Sequence, residues 1–280
     1  MKTEKGKSKK ASHARVAILG AGKIGTILMQ AMLQKGLLSK ALIHATVQHA
    51  EKAESLNNDL GIEVGTDNAE AVRQSQIVFV CVKPQTVAQV MEEIASVTTP
   101  DKIVISVAAS VPTDYMEKRL KGEIPVIRAM PNTPAMLGAG MTAICGGKYA
   151  SAEDVELARS LFETVGRTVV VDEKHMDAIT GLSASGPAFI YIILESLAEA
   201  GVKVGLPRNL ATQLAAQTAL GASRMVLETG HHPALLKDAV TTPAGCTIDG
   251  ILELEEGKLR VTLIKAVVKA AQRAKELVFS

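Results

Sequence analysis

The stretch Arg15-Val-Ala-Ile-Leu-Gly20-Ala-Gly22-Lys-Ile-Gly25 leaves little choice of local fold. Val16 to Leu19 reads as a buried strand, and the following segment carries Ile24, Ile27, Leu28, Ala31 and Met32 on one helical stripe. Between them, glycines at G-x-G-x-x-G spacing have separate mechanical duties. Gly20 permits the tight turn, Gly22 lets a pyrophosphate approach the backbone, and Gly25 lets helix and strand pack closely. The helix start then offers unpaired N–H groups and a positive dipole end to an anion. Glycine turns between strands and helices are common, so the weight of this one depends on the chain beyond it.

Beyond the turn the same pattern repeats. Further β-branched runs alternate with helical patterns as far as about Asp172: Ala41 to Val47, Ile77 to Val82, Ile103 to Val107, Val126 to Ala129 and Thr168 to Val171. Strands apolar on both faces and separated by helices predict a parallel sheet covered on both sides. From His175 onward the sequence reads as helix, broken near 201–207, 230–233 and 242–245 by Gly, Pro and His clusters. The fold class expected is α/β: an N-terminal Rossmann-type doubly wound parallel sheet followed by an all-α C-terminal dimerisation domain. In chain order, a disordered basic tail (1–14) leads into a dinucleotide-binding domain (15–172) and a helical substrate-binding and dimerisation domain (173–280). Phe189 to Leu194 is one apolar run, and Leu263, Ile264, Ala266, Val267, Val268, Ala270 and Ala271 cover more than one helical face. Helices with two apolar faces must be buried on both, so a homodimer or higher assembly is expected.

Composition removes several other classes. The formal charge of +2 includes Lys2, Lys5, Lys7, Lys9 and Lys10 in the tail, and the body without them is slightly acidic, which argues against nucleic acid. Glu195, Glu199 and Lys265 interrupt the most hydrophobic segments, so no membrane span is expected. Cys81, Cys145 and Cys246 are far apart and lack His at metal-ligand spacing, which points to a reducing cytoplasm and no structural metal.

The dinucleotide reading can be sharpened at the end of the second strand, where an acid usually pairs with the ribose 2′-hydroxyl. Here the chain offers Ala45, Thr46, Val47, Gln48 and His49, with Lys52 further on. Hydroxyl, amide and cation suit a 2′-phosphate better than a carboxylate would, so NADPH is favoured, with NADH possible. Cys81-Val82-Lys83-Pro84 ends another buried run, and ligands of open parallel sheets lie beyond such strand ends. Lys83 and Pro84 are therefore placed to border the cofactor, although Lys83 taken alone fits a solvated loop lysine equally well.

In the second half, Leu182-Ser-Ala-Ser-Gly-Pro187 and Val240-Thr-Thr-Pro-Ala-Gly-Cys-Thr247 put small polar residues at the start of apolar helices. Such a start can receive a carboxylate on its amides, although capping alone would also explain the hydroxyls. Taken with Arg128-Ala-Met-Pro-Asn132-Thr133-Pro134, Gly205-Leu-Pro207 and Leu236 to Gly250, these motifs resemble the pyrroline-5-carboxylate reductases from about residue 15 to the end. The resemblance implies reduction of Δ1-pyrroline-5-carboxylate, a small cyclic imino acid, to L-proline with NADPH or NADH. It implies that Asn68, Lys83, Pro84 and Ala108 join Gly20, Ala21, Gly22, Lys23, Ile24 and Gly25, with Thr46 and Val82, in holding cofactor. It further implies that the backbone of Gly245, Cys246 and Thr247 binds the substrate carboxylate, that the Thr247 hydroxyl meets the ring nitrogen, and that Thr242 and Ser185 lie close by.

Two departures from the family pattern stand out. Ala108-Ala109-Ser110 replaces a frequent Ala-Ala-Gly, and Pro243-Ala244-Gly245 replaces a frequent Pro-Gly-Gly. The two threonine and serine segments contain no His, Lys, Asp or Glu, so catalysis would rest on orientation and exclusion of water. The alternatives are an NADP-dependent hydroxyacid dehydrogenase and an inactive nucleotide-binding regulator. The first wants a Lys or His donor where Ala188, Phe189, Ile190 and Tyr191 stand, and the second has no use for Thr242 and Thr247 beside Gly245.

Overall fold

The computed structural model describes residues 14–276, so the basic tail lies, but for Ala14, outside the described residues. The first part runs β1 (Val16–Leu19), α1 (Lys23–Gln34), β2 (Ile43–Thr46), α2 (Ala50–Leu60), β3 (Glu63–Gly65), α3 (Asn68–Arg73), β4 (Ile77–Val80), α4 (Val87–Ile94), β5 (Ile103–Ser106), α5 (Thr113–Glu117), β6 (Val126–Met130), β7 (Gly140–Gly146), α6 (Ala152–Phe162) and β8 (Gly166–Val170). One eight-stranded sheet results, in the order β3-β2-β1-β4-β5-β6-β7-β8. The strand order reverses between β1 and β4, which opens a crevice at their carboxyl ends.

Alternation along each strand divides the core. Val16 and Ile18 of β1, Ile77 and Phe79 of β4, and Ile103 and Ile105 of β5 face one side, packed on Leu28, Met29 and Met32 of α1 and on Leu161 and Phe162 of α6. Ala17, Leu19, Val78, Val80 and Val104 face the other, against Val72 of α3, Val90, Met91 and Ile94 of α4, and Met116 of α5. Each fully buried Ile, Leu, Met or Phe contributes about 1.5–3 kcal/mol by leaving water. Phe79 and Phe162 meet edge to face, with centroids 6.0 Å apart.

The sheet departs from a purely parallel one at a single joint. β7 pairs antiparallel with β6, and β8 then pairs parallel with β7, so the last two strands run against the first six. Two strands, β3 and β7, were not anticipated. β3 has only three residues, none of them buried, while β7 is bounded by Gly140 and Gly146 and built largely of small residues. The run from Ala41 also begins later as strand, because Lys40–Leu42 forms a short 3-10 turn.

Beyond β8 come α7 (Met176–Ile179), a π turn over Thr180–Ala184, α8 (Gly186–Lys203), α9 (Arg208–Thr229), α10 (Pro233–Ala239), α11 (Cys246–Glu256) and α12 (Leu259–Glu276). The breaks before α9, α10 and α11 fall at the Gly, Pro and His clusters, and a further break falls at Gly257 and Lys258. Two compact units are resolved: residues up to 184 together with those from 270, and residues 185–269. Within the second, α8 and α9 approach so closely that a Cβ on Gly201 would lie 2.7 Å from the Cβ of Ala211. Yet Tyr191, Ile192, Leu220, Leu252 and Ile264 all remain more than half exposed. The helical run Glu173–Lys203 is, by length and composition, apolar enough to cross a membrane, and only 11% of its most apolar window is buried within the chain. Apolar surface of this kind marks an interaction face that the described residues leave uncovered.

Candidate functional site

The glycine turn is built as its spacing demands. Gly20 takes φ +87°, and a Cβ there would lie 2.7 Å from Cγ1 of Val82. A Cβ on Gly25 would lie 2.8 Å from the Gly20 carbonyl oxygen and within 3.4 Å of Ile18 and Cys81, so helix–strand packing alone excludes a larger residue. Gly22 differs: a Cβ there would meet nothing nearer than the Gly20 oxygen at 4.0 Å. Packing inside the protein therefore does not require this glycine, and the space it leaves open lies before the start of α1, which has no side-chain cap. An open approach in front of uncapped amides fits a dinucleotide pyrophosphate.

Next to this turn, at the crevice beside β1, lies a cavity of about 270 Å³ whose lining includes Gly20, Thr46, Val47, Gln48, Asn68 and Val82. It brings together four residues expected at the cofactor, from three separate strand ends and the start of α3. The backbone holds them in place: Gly20 and Ala21 donate N–H bonds to the Thr46 carbonyl at 3.1 and 2.7 Å. Thr46 is buried, and its hydroxyl donates to Asn68 Oδ1 at 2.6 Å while accepting from the Gly20 N–H at 3.3 Å. The Thr46 side chain thus orders the turn and Asn68, whereas Gln48 lines the cavity directly. Lys83 is exposed after β4, with Pro84 opening a short 3-10 turn. Ala108 is buried beyond β5, and its N–H is taken by Ser106 Oγ at 3.2 Å.

Sequence reasoning missed Thr66, Thr86, Gln89 and Glu93, which share the same cavity wall. Glu93 accepts from Asn68 Nδ2 at 2.7 Å and from Gln89 Nε2 at 2.8 Å. No acid stands at the end of β2, and the carboxylate on this cavity wall comes from the C-terminal part of α4. Its only sequence signal is the Gln89–Glu93 spacing, one helical turn apart on a helix that comes after a cofactor-bordering strand. A larger cavity of about 370 Å³ lies along the far end of α1 beside Met136 and Leu137, and none of the predicted site residues borders it.

In the second unit Thr242, Gly245, Cys246 and Thr247 come together in one turn. Gly245 donates its N–H to the Thr242 carbonyl at 3.0 Å, and a Cβ on Gly245 would lie 2.4 Å from Thr242 Oγ1. The Thr242 hydroxyl therefore fills the space that a side chain at 245 would need. Ala244 takes φ +57°, a left-handed conformation in which glycine is at ease and alanine is strained. Gly245 caps α11 without a side chain, leaving the amides of the first turn, beginning with Cys246 and Thr247, without a side-chain cap, with Asp249 the acid of that turn.

Ser185 caps α8 just after the π turn, and makes no side-chain capping bond. The π turn frees the Ser183 carbonyl, which accepts from Asn132 Nδ2 at 3.2 Å, while Asn132 Oδ1 accepts from the Met141 N–H at 2.9 Å. Single π turns in long helices often mark working parts of a protein. Burial pushes the Cys81 and Cys145 thiols up to about 12, and Glu173 adds to the rise at Cys145. Both behave as small core residues, while Cys246 is exposed.

The reversed strand order, the glycine turn and the cavity beside it define a nicotinamide-dependent oxidoreductase with a separate helical part. The profile described as pyrroline-5-carboxylate reductase dimerisation matches residues 173–277, and the one described as NADP oxidoreductase coenzyme F420-dependent matches residues 15–110. The chain is 44% identical over 265 residues to the pyrroline-5-carboxylate reductase of Methanosarcina acetivorans, covering 95% of this chain and 98% of that one. Among solved structures, a pyrroline-5-carboxylate reductase from Coxiella burnetii superposes with a TM-score of 0.87 at 34% identity, covering 95% and 99% of the two chains. A pyrroline carboxylate reductase from Plasmodium falciparum with NADP bound gives 0.87 at 27% identity, covering 95% and 99%. The chain belongs to the pyrroline-5-carboxylate reductase family.

Proposed function

We propose that this enzyme reduces Δ1-pyrroline-5-carboxylate to L-proline with NADPH as the favoured donor, the last step of proline biosynthesis. Besides the full-length kinship, one local observation carries the assignment: the Thr242 hydroxyl packed over Gly245, directly before the uncapped amides of α11. A carboxylate received by the amides of Cys246 and Thr247 would be held by hydrogen bonds and by the helix dipole, whereas the Gly245 N–H expected to join them is already given to the Thr242 carbonyl. The Thr247 hydroxyl then bonds the ring nitrogen, with Thr242 and Ser185 lining the same side. Gly20, Ala21, Gly22, Lys23, Ile24 and Gly25 take the pyrophosphate, Thr46 and Asn68 the adenosine ribose, and Val82, Lys83, Pro84 and Ala108 the nicotinamide side. Bound nicotinamide supplies the two electrons and the hydrogen that the ring carbon receives. The protein's share is to orient, to stabilise the nitrogen and to exclude water, since a protonated imine is already electrophilic.

Residues 15–172 act as the dinucleotide-binding domain and 173–280 as the substrate-binding and dimerisation domain. The exposed apolar residues of α8, α9, α11 and α12 support burial against a second copy. The NADPH preference is supported by Gln48 on the cavity wall and by the absence of an acid from β2. A cytoplasmic setting is supported by three cysteines that form no disulfide. Steady-state oxidation of NADPH and NADH with the five-membered imino acid, against a panel of 2-keto acids, tests the assignment. Turnover of the imino acid alone is expected; preference for a keto acid would make the chain a hydroxyacid dehydrogenase. Cofactor binding without turnover of any imine would make it a regulator.

A further inference from the structure

The carboxylate on α4 has a consequence for cofactor choice that rests on the assignment above. We infer that Glu93 is a specificity-determining residue, whose charge limits how strongly the site favours a 2′-phosphate over a 2′-hydroxyl. The cavity holding Gly20, Thr46 and Asn68 occupies the place beyond β2 where the adenosine ribose of a dinucleotide lies, and Glu93 is part of its wall. Asn68 is held from both ends: its Oδ1 accepts from the Thr46 hydroxyl, and its Nδ2 donates to Glu93 Oε2. A carboxylate only accepts, so a flipped Asn68 amide would set oxygen against oxygen and is disfavoured. Each Glu93 oxygen has one donor, from Asn68 or Gln89, and keeps lone pairs free for a further one. A ribose 2′-hydroxyl can supply that donor. A 2′-phosphate cannot, and it meets the carboxylate as a like charge.

Gln48 on the cavity wall still favours the phosphate, so Glu93 moderates the preference and does not reverse it. One unit charge facing a phosphate across a partly solvated gap changes affinity by about three- to tenfold. Its effect falls on cofactor binding, because the ribose end is far from the carbon that transfers hydrogen.

The test compares wild type with Glu93→Gln and Glu93→Asp, measuring initial rates with NADPH and NADH at saturating imino acid. Calorimetric titration with NADP+ and NAD+ runs in parallel without substrate. Glu93→Gln is expected to raise the NADPH:NADH ratio of kcat/KM by about three- to tenfold, through KM and not kcat. Glu93→Asp keeps the charge and is expected to stay within about twofold of wild type. A ratio unchanged in Glu93→Gln, or shifted equally in both variants, would overturn the inference. The titrations keep it separate from the assigned reaction: if wild type reduced no imine, the NADP+:NAD+ affinity ratio would still have to rise in Glu93→Gln.

Discussion

Ser110 lies just past β5 at φ +67°, buried, with a hydroxyl that has no hydrogen-bond partner among the described residues. Two costs coincide there. A non-glycine residue in the left-handed region costs about 1–2 kcal/mol, and a buried hydroxyl without a partner costs about 1–3 kcal/mol. Replacing Ser110 with Gly removes both and adds about 0.5–1 kcal/mol of chain entropy in the unfolded state. Taking the lower ends of the gains, Ser110→Gly should stabilise the protein by about 1–1.5 kcal/mol, which for a chain of this size is a rise in Tm of roughly 2–6 °C. Ser110→Ala separates the contributions, because it removes the hydroxyl, keeps the strained φ and adds no glycine entropy; it should gain about 1 kcal/mol. Thermal and urea unfolding of the three proteins without cofactor measure this. If Ser110→Gly is no more stable than wild type the reasoning fails, and if Ser110→Ala is no more stable than wild type the hydroxyl component is refuted.

Thr247→Val removes one aimed hydroxyl at nearly constant volume and should lower kcat by about 10- to 1000-fold with the KM for cofactor unchanged, read by steady-state kinetics. Arg128 is buried and pairs with Asp177 at 2.9 Å and Glu173 at 3.5 Å, both partners being partly solvated. Arg128→Ala should therefore cost about 2–4 kcal/mol in urea unfolding, somewhat less than for a fully buried pair. The Cys81 thiol is raised by burial from the ordinary 9.0 to about 12, so the folded state holds its proton more tightly than the unfolded state does. Its contribution is fully present below pH 9 and is lost as pH rises toward 12, by about 1.4 kcal/mol per pH unit. Cys81→Ala should flatten the fall in stability between pH 9 and 11 relative to wild type, whereas parallel slopes would contradict it.

The parts of the fold that were legible in the sequence are those written by long apolar runs. β1, β4, β5 and β6 are buried on both faces, so continuous Val, Ile and Leu announce them, and the helix breaks coincide with Gly, Pro and His clusters. β3 escaped because Glu63, Val64 and Gly65 are too few to show a period, and the antiparallel β7 because its Gly, Ala, Thr and Cys look like loop until a neighbour supplies the pairing. At the site, the glycine turn and the Thr242–Gly245 contact arise from chain-local spacing. Glu93 did not, because it reaches the Thr46 cavity from a different βα unit, and no local spacing reports that meeting. The two departures at 110 and 244 were visible as letters, but only backbone angles show that both place a side chain where glycine fits best.

Delivery of a hydrogen to the carbon beside the ring nitrogen is the central claim, and isotope transfer tests it most directly. NADPH carrying deuterium at both C4 positions, incubated with the wild-type enzyme and the five-membered imino acid, should yield L-proline with one deuterium on the ring carbon bonded to nitrogen and remote from the carboxylate. Proline without that label, or label found only in a reduced keto acid, would contradict the account.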